Sequence, residues 1–264
     1  MLAPPDAARL LAWYVAMGAD EAIAEVAVDR LTHASPATAA PTPELAPRVP
    51  PPAAAAPVAS PSAAEASARR IAAAATSLAE LAAAVAAFEG CTLKRTATNT
   101  VFADGVASAP LMIIGEAPGA DEDRLGRPFV GRSGQLLDRM LAAIGYDRRR
   151  NAYITNVLFW RPPGNRKPTP DEVAACLPFV WRHIVLAAPK VVLLCGGTAT
   201  SALLGRTEGI MRLRGRWLEL AVAGGTPVPT LATYHPSFLL RAPARKGEAW
   251  RDLLALQSKL NDSQ

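Results

Sequence analysis

Cysteine is scarce in this chain of 264 residues, which contains three cysteines and three histidines. Cys91, Cys176 and Cys195 are too few and too scattered to form the disulfide framework of a small secreted protein. Long apolar runs are also lacking, since no stretch approaches the ~20 consecutive apolar residues that a membrane-spanning helix needs. The start of the chain carries acids and lacks the basic, apolar and small-residue order of a signal peptide. We therefore expect a cytoplasmic protein that does not contact membranes.

Charge is only mildly biased, because 28 Lys and Arg against 23 Asp and Glu give a net charge of +5. That balance permits a polyanionic partner without requiring one. The arginines are concentrated in four stretches of the second half, at 124–132, 147–151, 206–216 and 239–251. A solvated surface explains them as well as contacts with phosphates do.

Composition divides the chain into three parts. Residues 1–33 have apolar spacing that suits one or two short amphipathic helices, which we expect to dock on the main domain or on a partner protein. Residues 34–69 are almost entirely Ala, Pro, Ser and Thr, a composition typical of a disordered linker. An Ala-rich helix is expected over 68–87, and residues 70–264 form the main domain.

Alternating strand and helix patterns fill the main domain from residue 110 onwards. Strands are predicted at "PLMIIG", "AYITNVLFW", "KVVLLCG" and "VPTLATYHPS", with helices between them. Thr169, Pro170 and Glu172 form the start signal of one helix, since Thr and Glu three residues apart make a capping box. We predict a three-layer α/β/α sandwich around a mainly parallel, four-stranded central sheet, with ligands bound at the carboxyl ends of the strands.

Polar motifs follow three of these strands. "GEAPG" (115–119) ends the first strand, "TN" in the second leads into "WRPPGNR" (160–166), and "HPS" (235–237) follows the fourth. A buried carboxylate is costly unless something uses it, so Glu116 at a strand end indicates a functional cleft. An Asn in a strand or a His beside a Pro is more often structural when it occurs alone.

In this order, the motifs resemble those of the uracil-DNA glycosylase superfamily. Residues 115–141, "GEAPGADEDRLGRPFVGRSGQLLDRML", are similar to the first motif of its family 4, and "ITNV", "RPPGNRKPTPDEVAAC" and "YHPSFLLR" extend the resemblance from about residue 85 to the end. The resemblance implies a monofunctional, monomeric hydrolase that removes uracil from DNA and leaves an abasic site. Residues 1–69 lie outside it.

The resemblance assigns a pocket for the extruded base. Phe129 would stack on uracil, and Asn156 would match its edge, because an amide offers both a donor and an acceptor. Glu122 would exclude the methyl group of thymine. Gly115 and Ala117 of the same motif would complete the base pocket.

Three further residues would carry out the reaction. His235 would donate a hydrogen bond to uracil O2 as negative charge develops on the base, and Glu116 would hold and polarise the attacking water. Asn165 corresponds to a position near that water, although a turn after "PPG" explains an Asn there equally well.

Contacts with DNA are assigned to residues around the same strand ends. Ser237 would grip a phosphate, and Ser133 and Arg166 would add to that grip, together with the arginine-rich stretches. The residues that could wedge into the space of the flipped base are Leu239, Leu240 and Arg241.

The resemblance fails at the iron-sulfur cluster. Family 4 enzymes usually hold a [4Fe-4S] cluster on four cysteines, but Phe88 and Trp160 stand at two of these positions, and only Cys91 and Cys176 remain. Cys195 matches no ligand position. Since two thiolates cannot hold a cluster of this type, we expect no cofactor and no metal, with Phe88 and Trp160 packed between the two cysteines.

Other functions stay open from sequence alone. A non-catalytic module that binds uracil or DNA and is recruited to a repair or replication partner would keep the same fold. A metal-dependent nuclease could use Glu116, Asp121, Glu122 and Asp123, and would lose activity to a chelator. Some relatives link covalently to DNA through a His, but they carry a basic loop before "HPS" that is missing here.

Overall fold

The computed structural model describes residues 62–223 and 225–262. The predicted helical segment 1–33, and the predicted linker 34–69 as far as residue 61, lie outside the described residues. None of the helices in the described part has the length and hydropathy of a membrane span. The helices are α1 (Ala63–Ala74), α2 (Leu78–Ala87), α3 (Ala120–Leu125), α4 (Arg132–Ala142), α5 (Pro170–Ala187), α6 (Gly197–Leu204), α7 (Ile210–Leu213), α8 (Pro236–Arg241) and α9 (Lys246–Asp262). The strands are β1 (Ala103–Gly105), β2 (Leu111–Gly115), β3 (Ala152–Asn156), β4 (Val191–Cys195), β5 (Trp217–Leu220) and β6 (Val228–Thr233).

One mixed sheet, in the order β1-β3-β2-β4-β6-β5, organises the described part of the chain. Its four central strands are parallel, and these are the four predicted strands. The sheet is larger than predicted because short antiparallel strands, β1 and β5, cover both edges. β1 is the tripeptide Ala103–Gly105, which carries no alternating apolar pattern and gives no strand signal of its own.

Helices cover both faces of the sheet, as the continuous apolar strands require. Along β2, Leu111 and Ile113 belong to a core cluster with side chains of α4 and α9. Met112 and Ile114 point to the other face, into a cluster with α1, α2 and α5. The three-layer α/β/α sandwich is therefore confirmed.

The Ala-rich segment forms two helices, so the prediction of one helix over 68–87 is wrong. Helix α1 starts at Ala63, inside the predicted linker, and is capped by Ser62. Ser77 caps α2 by accepting a hydrogen bond from the Glu80 amide, and the Glu80 carboxylate accepts one from the Thr76 amide at 2.7 Å. These local bonds interrupt the helix although every nearby Ala favours it.

The predicted capping box of α5 is confirmed. The Glu172 amide donates to Thr169 Oγ1 at 3.3 Å, and the Thr169 amide donates to Glu172 Oε2 at 2.8 Å, with Pro170 at the first helical position. Helix α5 carries Cys176 and Phe179, which belong to the same core cluster as Phe88 and Trp160, so this cap also fixes where they lie.

His183 of α5 makes the protein sensitive to acid. Its ring is fully buried, stacks on Phe102 at 4.4 Å and lies 2.9 Å from the Tyr153 hydroxyl through Nε2, and burial lowers its pKa to about 3. An unfolded His has a pKa of about 6.5, so below that pH the unfolded chain binds a proton that the folded chain does not. Neutral His183 therefore contributes fully to the free energy of unfolding above about pH 6.5. We expect this free energy to fall by about 1.4 kcal/mol per pH unit for this one group as the pH drops from about 6.5 towards about 3.

Denaturant unfolding at several pH values checks this prediction. His183→Phe keeps the stacking but leaves the Tyr153 hydroxyl without its partner, so we expect lower stability at neutral pH and a shallower loss in acid. A variant with the same pH slope as wild type would contradict the assignment.

Candidate active site

The carboxyl ends of the four parallel strands open into a cleft of about 580 Å³. Most of the predicted site residues line it: Glu116, Ala117, Glu122, Phe129, Ser133, Asn156, Asn165, Arg166, His235, Ser237 and Arg241. Gly115 and Leu240 are not in the lining. Because these residues come from five separate loops and strand ends, the cleft depends on the whole sheet for its geometry.

Gly115, the last residue of β2, is where two of the predicted base contacts meet. A Cβ atom at this position would lie 2.4 Å from Asn156 Oδ1 and 2.4 Å from Phe129 Cζ. Any larger residue would push these side chains apart. Gly115 therefore acts beneath the cleft by allowing the close approach of Phe129 and Asn156.

Asn156, the last residue of β3, has a buried side-chain amide with no hydrogen-bond partner in the described part of the chain. The residue is 1% exposed, and neither Nδ2 nor Oδ1 is bonded to another group of the described chain. An unpaired buried amide costs about 1–3 kcal/mol, so structures usually satisfy such groups. Here the amide lines the cleft, where a ligand with complementary donor and acceptor atoms would pair with it.

Glu116 lies beside Asn156 at the mouth of β2 and is held by α6. Thr198 Oγ1 donates to Glu116 Oε2 at 2.5 Å, which ties one carboxylate oxygen. The second carboxylate oxygen, Oε1, accepts no hydrogen bond from the described protein. Glu116 itself lines the cleft. Glu116 is therefore fixed in place and can accept a hydrogen bond from a water or a ligand.

His235 is held in one orientation by the start of α8. The Ser237 amide donates to His235 Nδ1 at 3.2 Å, and Ser237 Oγ lies 2.8 Å from the same atom. Burial lowers the pKa of His235 to about 4, with a smaller contribution from the positive charge of Arg241. We therefore assign a neutral ring that accepts at Nδ1 and carries its proton on Nε2.

Phe129 occupies the cleft in an unusual backbone conformation. Its φ is +52°, in the left-handed region that few residues other than Gly adopt, and its ring is 4% exposed. The ring lies 5.5 Å from the His235 ring, with 30° between their planes. A flat apolar surface therefore forms one wall of the cleft.

Glu122 has a structural role that its sequence position did not reveal. One carboxylate oxygen accepts from the Gly119 amide at 3.0 Å, and the other accepts from the Val130 and Gly131 amides at 2.9 and 2.8 Å. Glu122 thereby joins the loop after β2 to the turn that carries Phe129. Exclusion of the thymine methyl group by Glu122 remains a prediction.

Asn165 and Arg166 line the cleft at its exposed rim. Asn165 has a φ of +55° and accepts from Arg161 Nε at 2.7 Å, so it is also the turn residue that the alternative interpretation required. The Arg166 guanidinium forms a two-pronged ion pair with Glu172, the capping residue of α5. Because Glu172 occupies both of these guanidinium nitrogens, Arg166 contributes to the cleft mainly as a positive charge at its rim.

The residues assigned to DNA contacts differ in exposure. Ser133 and Ser237 lie in the first turns of α4 and α8, and Arg241 is exposed at the end of α8. Leu239 is 1% exposed within the core, so its assignment as a wedge is wrong. Leu240 is partly buried beside that core.

Two of the clustered arginines are internal, which corrects their assignment to phosphate contacts. Arg148 is 8% exposed and bonds to backbone carbonyls and carboxylates. Arg214 forms an ion pair with Asp252. Their side chains stabilise the fold beneath the surface.

The acids after Glu116 do not converge on a metal site. Glu122 is saturated by backbone amides, and Asp123 Oδ1 accepts from the amides of Thr98 and Asn99 at 2.8 and 3.1 Å. Asp121 forms an exposed ion pair with Arg124. Within the residues that the structure describes, no group of His, Cys, Asp and Glu is arranged to hold a metal ion.

The former cluster positions form part of the apolar core. Phe88 packs edge-on against Phe179 at 5.0 Å, and Phe159 contacts both Phe179 and Trp160. Trp160 is 1% exposed, and its Nε1 donates to Thr100 Oγ1 at 3.0 Å.

The remaining thiols, Cys91 and Cys176, contact one another. A hydrogen bond between them lowers the pKa of Cys91 and raises the pKa of Cys176, which complete burial raises further. The prediction that Phe88 and Trp160 lie between the two cysteines is therefore wrong, because the thiols bond to each other and the two aromatic residues belong to the same core cluster. Among the described residues, these positions do not fit a [4Fe-4S] cluster, since Cys91 and Cys176 offer two thiol ligands where four are needed.

The loop after β4 is the part of the site that sequence reasoning missed. Gly196 and Gly197 line the cleft, and Thr198 binds Glu116. Gly196 has a φ of +95°, and a Cβ atom there would lie 3.0 Å from His235 Cβ. "GGT" follows a predicted strand, so the rule that located the other three motifs could have found it. Lys167 and Phe238 also line the cleft.

Comparison with known proteins identifies similar chains. Residues 102–254 match the family model described as "Uracil DNA glycosylase superfamily". The type-4 uracil-DNA glycosylase of Pyrobaculum aerophilum is 41% identical over 167 residues, which cover 62% of this chain and 84% of that protein. The type-4 enzyme of Thermotoga maritima is 43% identical over 152 residues, covering 57% and 77%, and that of Archaeoglobus fulgidus is 41% identical over 162 residues, covering 60% and 80%.

Proposed function

Since the chain belongs to the uracil DNA glycosylase superfamily, we propose that it hydrolyses the N-glycosidic bond of uracil in DNA, releasing free uracil and leaving an abasic site. The observation that supports this most strongly is one cleft lined by Glu116, Phe129, Asn156 and His235. The cleft combines an apolar wall, an unpaired amide, a held carboxylate and a neutral imidazole, which are the groups that this reaction needs.

Recognition of uracil depends on the pairing of Asn156. Uracil presents a carbonyl oxygen and an N–H on one edge, which match the amide Nδ2 and Oδ1. Cytosine presents an amine and a bare ring nitrogen, so each contact would meet a like group. The base must first leave the DNA stack at a cost of a few kcal/mol, which stacking on Phe129 helps to offset.

Hydrolysis then depends on Glu116 and His235. As the bond between C1′ and N1 breaks, positive charge grows on the sugar and negative charge on the uracil ring. The Glu116 carboxylate stabilises the sugar cation and accepts the proton of the water whose oxygen bonds to C1′. His235 Nε2–H donates to uracil O2, and the uracil anion leaves with the electrons of the broken bond.

A neutral His235 suits this role. Its hydrogen bond stabilises the departing anion without protonating it, and Ser237 keeps the proton on the nitrogen that faces the base. Ser237 thus orients the ring, in addition to the phosphate contact that we propose for it.

Binding to the DNA backbone would come from the rim of the cleft. Arg166, Lys167 and Arg241 line it, together with Ser133 and Ser237. We propose Leu240 or Arg241 as the residue that fills the space of the flipped base. A protein partner for residues 1–33, a monomeric state and a cytoplasmic location remain predictions.

We also propose that the protein works without the iron-sulfur cluster of its relatives. Purified protein is expected to contain no stoichiometric iron and to lack the visible absorbance of a cluster, because Phe88 and Trp160 replace two ligands. Iron analysis of protein made in iron-rich medium and purified without oxygen checks this. Approximately four iron atoms per chain would contradict it.

The aromatic core should matter more than the remaining thiols. Trp160→Ala is expected to lower the free energy of unfolding by about 3–5 kcal/mol, as other buried Trp truncations do. Cys91→Ala and Cys176→Ala should cost much less and leave uracil excision intact. Loss of activity on removal of either thiol would instead indicate a bound cluster.

The test of function uses a labelled DNA strand with a single uracil. After incubation and treatment with alkali, cleavage at the uracil position is expected for wild type and not for Glu116→Ala or His235→Ala. Strand binding without alkali-labile cleavage would favour a non-catalytic module. Activity abolished by a chelator would contradict the metal-free mechanism.

A further inference from the structure

The turn that carries Phe129 is held from two sides by buried charges. Glu122 binds the amides of Val130 and Gly131, as described above. The carbonyls of Pro128 and Phe129 point the other way and meet Arg148. Arg148 Nη1 donates to Pro128 O at 3.0 Å, and Nη2 donates to Phe129 O at 2.7 Å.

Arg148 is itself fixed and neutralised. Its Nε donates to Asp138 Oδ1 at 2.9 Å, and its Nη1 donates to Asp104 Oδ2 at 2.9 Å. Burial of Asp104 opposes ionisation, but hydrogen bonds from Arg148 and Arg127 lower its pKa. The guanidinium is therefore almost wholly buried, with its donors directed at four acceptors.

The backbone at Phe129 has little room to relax. A Cβ atom at Gly134 would lie 1.9 Å from Phe129 O, so α4 presses directly against the carbonyl that Arg148 binds. The left-handed φ of Phe129 is unfavourable for a bulky residue by about 1–3 kcal/mol and persists only where the surroundings impose it. Arg148 and Glu122 both bind the backbone of this turn directly.

We propose that Arg148 is a positioning residue for uracil excision, which together with Glu122 holds Phe129 in its left-handed conformation so that the ring forms the stacking wall of the cleft. The proposal rests on the proposed function, because the wall formed by Phe129 affects activity only if an extruded base stacks on it. It also gives Arg148 a role other than the phosphate contact expected from its arginine-rich stretch.

Arginine suits this position better than lysine does. Its planar fork reaches two successive carbonyls and two carboxylates at once, whereas an ammonium is a compact point charge on a flexible stem. Arg148→Lys should therefore recover little of what Arg148→Met loses.

A double-mutant cycle between Arg148→Met and Phe129→Ala tests the coupling. The measured quantity is the single-turnover rate of uracil release at saturating DNA, with the melting temperature of each variant recorded. Arg148→Met alone is expected to slow release by about tenfold or more, since the strain at Phe129 is no longer held. In the Phe129→Ala background the same change should have almost no further effect, because no ring remains to be placed.

Arg182→Met is the matched control. Arg182 also binds a backbone carbonyl, donating through Nε and Nη2 to Ala75 O at 2.8 and 2.7 Å, but it does not line the cleft. It should lower the melting temperature and leave the rate unchanged. Equal rate losses from Arg148→Met with and without the Phe129 ring would overturn the proposal, because Arg148 would then act by another route.

Crystal structures of wild type and Arg148→Met separate this proposal from the proposed function, since they need no catalysis. We expect Phe129 at positive φ with its ring in the cleft of wild type, and a displaced ring in the variant. An unmoved ring would overturn the positioning role even in an active enzyme. A wild type that releases no uracil but shows the displacement would refute the proposed function alone.

Discussion

Replacing Glu116 with glutamine is expected to slow uracil release by about 10²- to 10⁴-fold while barely changing the Kd for a uracil-containing strand. Glutamine keeps the shape of the side chain and a hydrogen bond with Thr198, but it removes the negative charge and the proton acceptor. Both are needed only when the sugar cation forms. Single-turnover kinetics and equilibrium binding with the same strand measure the two quantities separately.

Thr198 provides the matched control for Glu116. Thr198→Ser keeps the hydroxyl that binds Glu116 Oε2, and it should keep near-normal release. Thr198→Val has almost the same shape without the donor, so release should fall, though less than in Glu116→Gln. A Glu116→Gln variant with wild-type rates would show that this carboxylate takes no part in the reaction.

Asn156→Leu is expected to abolish excision and, at the same time, to leave the free protein as stable as wild type or more so. Leucine is similar in size and removes an amide that has no partner among the described residues, which relieves a cost of about 1–3 kcal/mol. Activity should fall by about 10⁴-fold, because a site built to bond a polar edge loses this much when the pairing is gone. Thermal unfolding and the uracil-strand assay check the two halves of the prediction.

Asn151→Leu is the contrasting variant. Asn151 accepts from the Asp147 amide at 2.7 Å and donates to Gly145 O at 3.3 Å, so its amide is used within the fold. This change should lower stability and leave excision intact. The opposite pattern, a destabilised but active Asn156→Leu, would mean that the Asn156 amide supports the fold and does not read the base.

Features governed by local rules could be predicted from the sequence. The four parallel strands follow from apolar runs, the start of α5 follows from Thr169 and Glu172, and most cleft residues follow from the rule that ligands meet strand ends. The short edge strand β1 could not be predicted, because its pairing with β3 creates it and its own residues do not favour a strand.

The roles of the charged residues were hard to predict because each depends on a distant partner. Arg148 looks like its exposed neighbours in sequence, but Asp104 and two carbonyls of the Phe129 turn make it internal. Glu122 sits among other acids, and only the fold brings the Val130 and Gly131 amides to it. Thr198 likewise acquires its role only when β4 lies beside β2.

Identification of the products of wild-type protein tests the central claim most directly. Excess DNA with one uracil per strand is incubated with the protein, and free base and modified strand are quantified by mass spectrometry. We predict several molecules of free uracil per protein and an equal amount of strand with an abasic aldehyde, with no release from matched strands that carry cytosine or thymine. Intact uracil, or a strand joined covalently to the protein, would contradict hydrolysis at this cleft.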